Sequence, residues 1–121
     1  MSKASPAQYS RAELVRTLGT LTLRSARDGD IHAIDVSGEL DVANASDLES
    51  ELQRIEATDA RTIMLDLGDL QFIDSTGIRV LINAHARSRA DSGRLVLLRP
   101  TGHVFRVLEI SGLVDRLPFA D

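Results

Sequence analysis

The sequence predicts an α/β domain with a mixed sheet, and three observations support this prediction. Two alternating apolar segments meet at the tight-turn pair Asp28-Gly29, which indicates a β-hairpin. Two later runs, Thr62 to Leu67 and Arg94 to Arg99, are almost continuously apolar, as in strands covered on both faces. Segments with helical periodicity separate the strands, and this alternation favours layered α/β packing.

The chain begins with a segment, residues 1–19, that we interpret as an N-terminal extension before a domain at residues 20–121. Ser10 to Glu13 has the spacing of a capping box, and Gly19 is placed to close a short helix through Leu18. A loose tail is an equal alternative. In the hairpin that follows, Leu21 and Leu23 share one face, and the second strand presents Ile34, Val36, Gly38 and Leu40.

Three helices are predicted, each with a capping residue and an apolar stripe. Asn44 is a suitable N-cap for the first, which ends near Thr58 and carries Leu48, Leu52 and Ile55. The second runs from Ser75 to Ala90 with Ile78, Leu81, Ile82 and Ala86 inward. Thr101 can cap the third, with Val104, Val107 and Leu108 inward, and Leu113 to Phe119 returns along the surface.

Composition excludes several classes of function. A chain of 121 residues without cysteine has no disulfide or thiolate metal site, and its three histidines lack metal-ligand spacing. A net charge of −4 argues against general nucleic-acid binding. No apolar run approaches the roughly 20 residues of a membrane span, and residues 1–20 lack the apolar core of a signal peptide. We therefore expect a soluble cytoplasmic protein without cofactor or metal.

The most informative segment is Asp74-Ser75-Thr76-Gly77, which follows the short apolar pair Phe72-Ile73 and begins a helix. Such a junction can expose a hydroxyl, and the positive end of a helix tolerates a phosphate. Serine, threonine and aspartate are also ordinary helix caps, and considered alone the segment favours that interpretation.

Three enzymatic or signalling patterns are absent around this segment. Ser75 has no glycine two residues before it, so the nucleophile-elbow motif of hydrolases is missing. Gly77 stands alone without a nearby lysine, which excludes a Walker-type nucleotide site. A phospho-accepting receiver domain needs an acidic pair after its first strand and a lysine after its fifth. This sequence has no such pair, and its only lysine is Lys3.

The ordered blocks of this chain resemble the STAS domain, and more narrowly the bacterial anti-anti-sigma factors. The blocks are Gly38-Glu39-Leu40-Asp41, Leu65-Asp66-Leu67, Phe72 to Gly77, Gly93-Arg94-Leu95 and Ser111-Gly112-Leu113. The resemblance covers about residues 20–119 and implies a STAS-like mixed sheet with helices mainly on one face. Arg79 departs from the family pattern, which often has glycine at this position.

The resemblance implies a regulator that is not an enzyme and that has no catalytic residues. It would bind an anti-sigma factor of the GHKL serine-kinase type and so release a sigma factor for transcription. Phosphorylation at Ser75 would switch it off, and a PP2C-type phosphatase would reverse this. The implied partner-binding residues are Asp74, Ser75, Thr76, Gly77, Arg79, Asn83, Glu39 and Asp41.

Other functions remain open at the level of sequence. A STAS domain can act as a stressosome-like scaffold or as an accessory to a transporter. It can also sense a small molecule or nucleotide, which would stabilise the native state on binding. A serine hydrolase using Ser75 is the remaining enzymatic alternative.

Overall fold

The computed structural model describes residues 13–120, which contain five strands and three helices. The elements in chain order are β1 Leu14–Leu18, β2 Leu21–Asp28, β3 Ile31–Leu40, α1 Ala45–Glu56, β4 Thr62–Ile73, α2 Ser75–Ala90, β5 Leu95–Leu98 and α3 Gly102–Ile110. The predicted hairpin is confirmed as β2 and β3, and α2 has the predicted bounds.

The five strands form one mixed sheet in the order β1-β2-β3-β4-β5. The first three strands pair antiparallel, whereas β3 with β4 and β4 with β5 are parallel. The carboxyl ends of β3 and β4 therefore lie side by side, with Leu40 paired to Ile73. This arrangement places the loop after β3 next to the start of α2.

The first strand corrects the N-terminal prediction. Residues 14–18 form an edge strand rather than a helix, and Ser10 of the predicted capping box lies outside the described residues. Gly19 has a φ of 64° and turns the chain directly into β2, so a hairpin replaces the expected helix end. Arg16 of β1 also forms an ion pair with the buried Glu51 of α1. The sheet thus begins within the predicted extension.

One apolar core joins the sheet to all three helices. In α1 the predicted stripe Leu48, Leu52 and Ile55 is buried. In α2 the buried residues are Gly77, Val80, Leu81 and Ala84, while the predicted inward residues Ile82 and Ala86 are exposed. The helix is rotated relative to the prediction, because small Gly77 and Ala84 allow close packing on a face that hydrophobicity alone does not mark.

The fourth strand also differs from its prediction in length and burial. It continues through the expected turn to Ile73, and its register against β3 shifts near Gly68, whose N–H donates to Asp66 Oδ1 at 2.8 Å. Buried and half-buried residues alternate from Thr62 to Leu67, so one face is well covered and the other only partly. The prediction that both faces of this strand are buried, made from its continuous hydrophobicity, was therefore wrong for the second face.

The carboxyl-terminal segment also packs more closely than predicted. Leu113 and Leu117 are buried, and Phe119 forms a parallel bridge with Leu97 at the free edge of β5. The segment therefore covers core and sheet edge as well as surface.

Arg94, in the block before β5, closes the carboxyl end of α1. Its guanidinium donates to the carbonyl oxygens of Glu56, Thr58 and Ala60 at 3.0, 3.0 and 2.9 Å. The bond to Glu56 satisfies a carbonyl at the end of α1, and the bonds to Thr58 and Ala60 hold the loop that follows. The role of Arg94 is therefore structural.

Replacing Gly38 with alanine is expected to destabilise the carboxyl end of β3. Gly38 has a φ of 97°, and an added Cβ would collide with the carbonyl oxygen of Thr20. Gly93→Ala is the matched control, since Gly93 has a φ of 66° with open space around it. In urea denaturation, the control should lose roughly 1–2 kcal/mol of unfolding free energy, and Gly38→Ala about 1–3 kcal/mol more. Equal losses would contradict the packing role.

Candidate functional site

The candidate site lies where α2 begins, beside the loop that joins β3 to α1. The Asp74 N–H donates to the carbonyl oxygen of Leu40 at 3.2 Å, which connects the two chain segments after their strands end. Asp74 has extended backbone geometry (φ −107°, ψ −173°) and acts as the N-cap of α2. The segment singled out in the sequence thus occupies a strand–loop–helix junction, as predicted.

The Asp74 carboxylate accepts hydrogen bonds from both sides of this junction. Its Oδ1 accepts from the Gly77 N–H at 3.0 Å and from the Thr76 hydroxyl at 2.5 Å. Its Oδ2 accepts from the Val42 N–H at 3.1 Å. The Thr76 hydroxyl bond is the main cause that lowers the pKa of Asp74, and the Gly77 and Val42 amides add to it. The ionised side chain therefore holds the start of α2 and the neighbouring loop together.

A second polar side chain, that of Asn44, forms hydrogen bonds inside the loop between β3 and α1. Asn44 is the N-cap of α1 by position, as predicted, but its side chain makes no capping hydrogen bond. Instead its Oδ1 accepts from the Asp41 N–H at 3.0 Å, and its Nδ2 donates to the carbonyl oxygens of Leu18 and Glu39 at 3.2 and 2.9 Å. Buried Asn44 thus fixes the loop that presents Glu39, Asp41 and Val42.

Gly77, one of the predicted partner-binding residues, is buried and has a packing role. A Cβ added there would lie 2.7 Å from Leu40 Cγ and 2.8 Å from Ile73 Cγ1. The absence of a side chain therefore lets α2 approach the ends of β3 and β4.

Ser75 and Thr76 differ in the state of their hydroxyl groups. Ser75 is exposed, and its hydroxyl has no hydrogen bond to any residue in the range 13–120. Thr76 is half-buried, and its hydroxyl is bonded to Asp74. Of this pair, Ser75 is therefore the one whose oxygen is available to another molecule.

The remaining predicted residues lie on the surface around Ser75 or along α2. Glu39, Arg79 and Asn83 are exposed, and Asp41 is half-buried with Oδ1 accepting from the Ala43 N–H at 3.0 Å. Residues 75, 79 and 83 follow one another at four-residue spacing, which aligns them along one side of the helix.

Three apolar residues on the segments that meet at the site are exposed and were not among the predicted site residues. Val42 is 75% exposed beside Asp74, Ile82 is 42% exposed on α2, and Phe72 is 40% exposed at the end of β4. The Phe72 ring stacks on His103 with centroids 6.2 Å apart. Apolar side chains at the surface are candidates for protein contacts. Ile82 was predicted to lie on the inner side of α2, so its exposure was not foreseen.

No group of three or more metal-ligating side chains occurs among residues 13–120. In the same range, no helix has both the length and the apolar character needed to cross a membrane. The site offers a free hydroxyl, carboxylates and apolar contacts, which suit recognition of another protein better than bond-breaking chemistry.

The chain belongs to the STAS domain family, whose model matches residues 23–121. It is 38% identical over 86 residues to the putative anti-sigma factor antagonist BtrV of Bordetella bronchiseptica, covering 71% of this chain and 74% of BtrV. It is 33% identical over 89 residues to the anti-sigma-B factor antagonist of Listeria monocytogenes, covering 74% of this chain and 78% of that protein.

Solved structures support the same fold. The anti-sigma factor antagonist SpoIIAA in its unphosphorylated form matches with a TM-score of 0.63 at 23% identity, covering 91% of this chain and 89% of that one. The phosphorylated form of SpoIIAA from Bacillus matches with a TM-score of 0.58 at 22% identity, covering 91% and 92%. The predicted STAS fold is confirmed, and the chain is a homologue of anti-sigma factor antagonists, which are regulators and not enzymes.

Replacing Asp74 with alanine should lower stability, because α2 loses its N-cap and the loop after β3 loses the hydrogen bond from the Val42 N–H. We expect a loss of about 1–2 kcal/mol at pH 7 by chemical denaturation. Thr101→Ala is the control, since Thr101 occupies the N-cap of α3 without a side-chain capping bond. The control should lose clearly less, and equal losses would contradict the role given to the carboxylate.

The parent protein and Asp74→Ala also test how the stabilisation by the Asp74 carboxylate depends on pH. The pKa of Asp74 is lowered in the folded protein, so its ionised form stabilises the fold fully above the unfolded-state pKa. That contribution is lost as pH falls through the lower folded-state pKa. The stability difference between the parent and Asp74→Ala should therefore shrink below about pH 4. A difference that stayed constant from pH 7 to pH 3 would contradict this.

Proposed function

We propose that this protein is an anti-sigma factor antagonist whose binding is switched off by phosphorylation at Ser75. Its partner would be an anti-sigma factor of the GHKL serine-kinase type, and binding would release a sigma factor in the cytoplasm. A PP2C-type phosphatase would restore the unmodified serine. The observation that carries the proposal is that Ser75 is exposed and its hydroxyl makes no hydrogen bond within residues 13–120, whereas the neighbouring Thr76 hydroxyl is hydrogen-bonded to Asp74.

The relatives support the partner class. Two of them, at 38% and 33% identity, are described as anti-sigma factor antagonists. SpoIIAA, which shares the fold, is known in unphosphorylated and phosphorylated forms. A switch that uses one hydroxyl at this junction is therefore consistent with the family to which the chain belongs.

The proposed partner surface surrounds Ser75. It combines charged and polar side chains of Glu39, Asp41, Arg79 and Asn83 with the exposed apolar side chains of Val42 and Ile82. Apolar contacts would supply binding free energy, and the polar groups would set specificity and orientation. Asp74 and Gly77 would act indirectly, by fixing the position of the serine.

Phosphorylation would act through local charge. A phosphoserine carries about −1.5 to −2 charges at pH 7. Asp74 already places a carboxylate next to Ser75, so the added charge would fall in an acidic setting. At an interface fitted to a neutral hydroxyl, an unpaired charge costs roughly 2–5 kcal/mol. That cost corresponds to a loss of affinity of about 30-fold to several thousand-fold.

A pair of baits tests the proposal. Ser75→Ala should capture a GHKL-type kinase from the native cell extract, as identified by mass spectrometry, and Ser75→Glu should not. With that kinase purified, Ser75→Glu should weaken binding by at least about 30-fold in titration calorimetry. Gln53→Glu is the control, because it adds the same charge at an exposed position in α1, away from the site.

The controls separate the switch from other outcomes. Gln53→Glu should bind within a few-fold of the parent protein. Equal capture by both Ser75 baits, or equal loss of affinity in Gln53→Glu and Ser75→Glu, would contradict a switch located at Ser75. Phosphorylation by the purified kinase should also disappear in Ser75→Ala and persist in Thr76→Ala.

A further inference from the structure

Arg79 lies one helical turn after Ser75 on the exposed side of α2. Both residues are exposed, and their positions are i and i+4 in a helix that begins at Ser75. Side chains at this spacing are neighbours, with Cβ atoms roughly 5–6 Å apart. An acidic group followed four residues later by a basic group is the favoured order for a helical ion pair. Ser75 carries no charge until it is modified, so this pair would exist only after phosphorylation.

The Arg79 guanidinium has no hydrogen bond or ion pair with any residue in the described range 13–120. By contrast, Arg87 on the same helix is already paired, since it forms ion pairs with Glu49 and Glu56 of α1. Arg79 is therefore not required to hold α2 in place, and its five donors are available to another group.

Two donors at the start of α2 that could bind a phosphate are already engaged by Asp74. The Gly77 N–H already donates to Asp74, as does the Thr76 hydroxyl. The Asp74 carboxylate is ionised and would repel a phosphate on the adjacent residue. Among the described residues of α2, Arg79 is the cation nearest in sequence to Ser75.

We propose that Arg79 binds the phosphate on Ser75 and thereby takes part in the switch. This inference rests on the proposed function only in taking Ser75 as the modified residue. In the unmodified protein the guanidinium is free to contact the partner. After phosphorylation it donates charge-assisted hydrogen bonds to the phosphate oxygens. The partner surface then loses both the neutral hydroxyl and an available cation.

The direct test measures the second pKa of the phosphate by phosphorus NMR. Phosphoserine is incorporated at position 75 by genetic encoding, so no kinase is needed. A neighbouring guanidinium favours the dianion, and the pKa, which is about 6 for free phosphoserine, should be lower with Arg79 than in Arg79→Gln. The expected difference is about 0.3–0.7. Arg79→Lys keeps the charge and should retain part of it.

The matched control is Arg89→Gln, which removes an exposed arginine from the last turn of the same helix. This variant should leave the phosphate pKa at the parent value within about 0.1. A parent and Arg79→Gln with equal values, or an equal rise in Arg89→Gln, would overturn the inference. Raising the salt concentration should reduce the Arg79 effect, because exposed charges are screened.

A binding measurement links the pair to regulation and separates the two proposals. With the purified anti-sigma factor, Arg79→Gln should weaken binding of the unmodified protein more than binding of the phosphorylated protein, because phosphorylation has already engaged the guanidinium. Equal weakening in both states would contradict the withdrawal of Arg79 from the partner. If Ser75→Glu left affinity unchanged, the proposed function would fail while the phosphate pKa would still decide the pairing with Arg79.

Discussion

The architecture of the candidate site depends on the carboxylate of Asp74. One oxygen accepts from the Gly77 N–H and the Thr76 hydroxyl, and the other accepts from the Val42 N–H. A single ionised group therefore caps α2 and binds the adjacent loop to it. Parallel pairing of β3 with β4 brings these two segments together, and the missing side chain at Gly77 lets the helix approach closely. The serine that follows Asp74 is consequently held in a defined position while its own hydroxyl stays free.

This division of roles explains how a small modification can act without refolding the domain. The groups that stabilise the junction are the aspartate, the Thr76 hydroxyl and backbone amides, and none of them is the Ser75 hydroxyl. A phosphate on Ser75 would change the charge of an exposed surface and leave these bonds in place. Arg79 would move toward the phosphate along the same side of α2, so the rearrangement would involve side chains only. Regulation in this account is a change in local electrostatics.

Much of the fold was predictable because strong local signals agreed with the final packing. The hairpin was predicted correctly from its turn signal, although the turn residues are Gly29 and Asp30 and not Asp28-Gly29. The start of α2 was predicted correctly from capping chemistry. The strand at residues 14–18 was not, because the capping-box spacing of Ser10 to Glu13 suggested a helix and the ion pair from Arg16 to Glu51 is long-range. The place of Ser75 at the start of α2 could be predicted from its motif, but the exposure of Val42 and the hydrogen bonds of Asn44 inside the loop depend on how separate segments meet. Sequence periodicity likewise could not show the rotation of α2 that exposes Ile82.

The most direct test of this account compares amide hydrogen exchange in the protein with serine and with phosphoserine at position 75. We expect the Val42 and Gly77 amides, which donate to Asp74, to keep their protection against exchange within a few-fold. Shifts in the NMR spectrum should then be confined to the start of α2, the exposed residues that follow it and the neighbouring loop. Loss of protection at both amides, with changes spreading into the sheet, would show that phosphorylation opens the junction and would contradict the central claim.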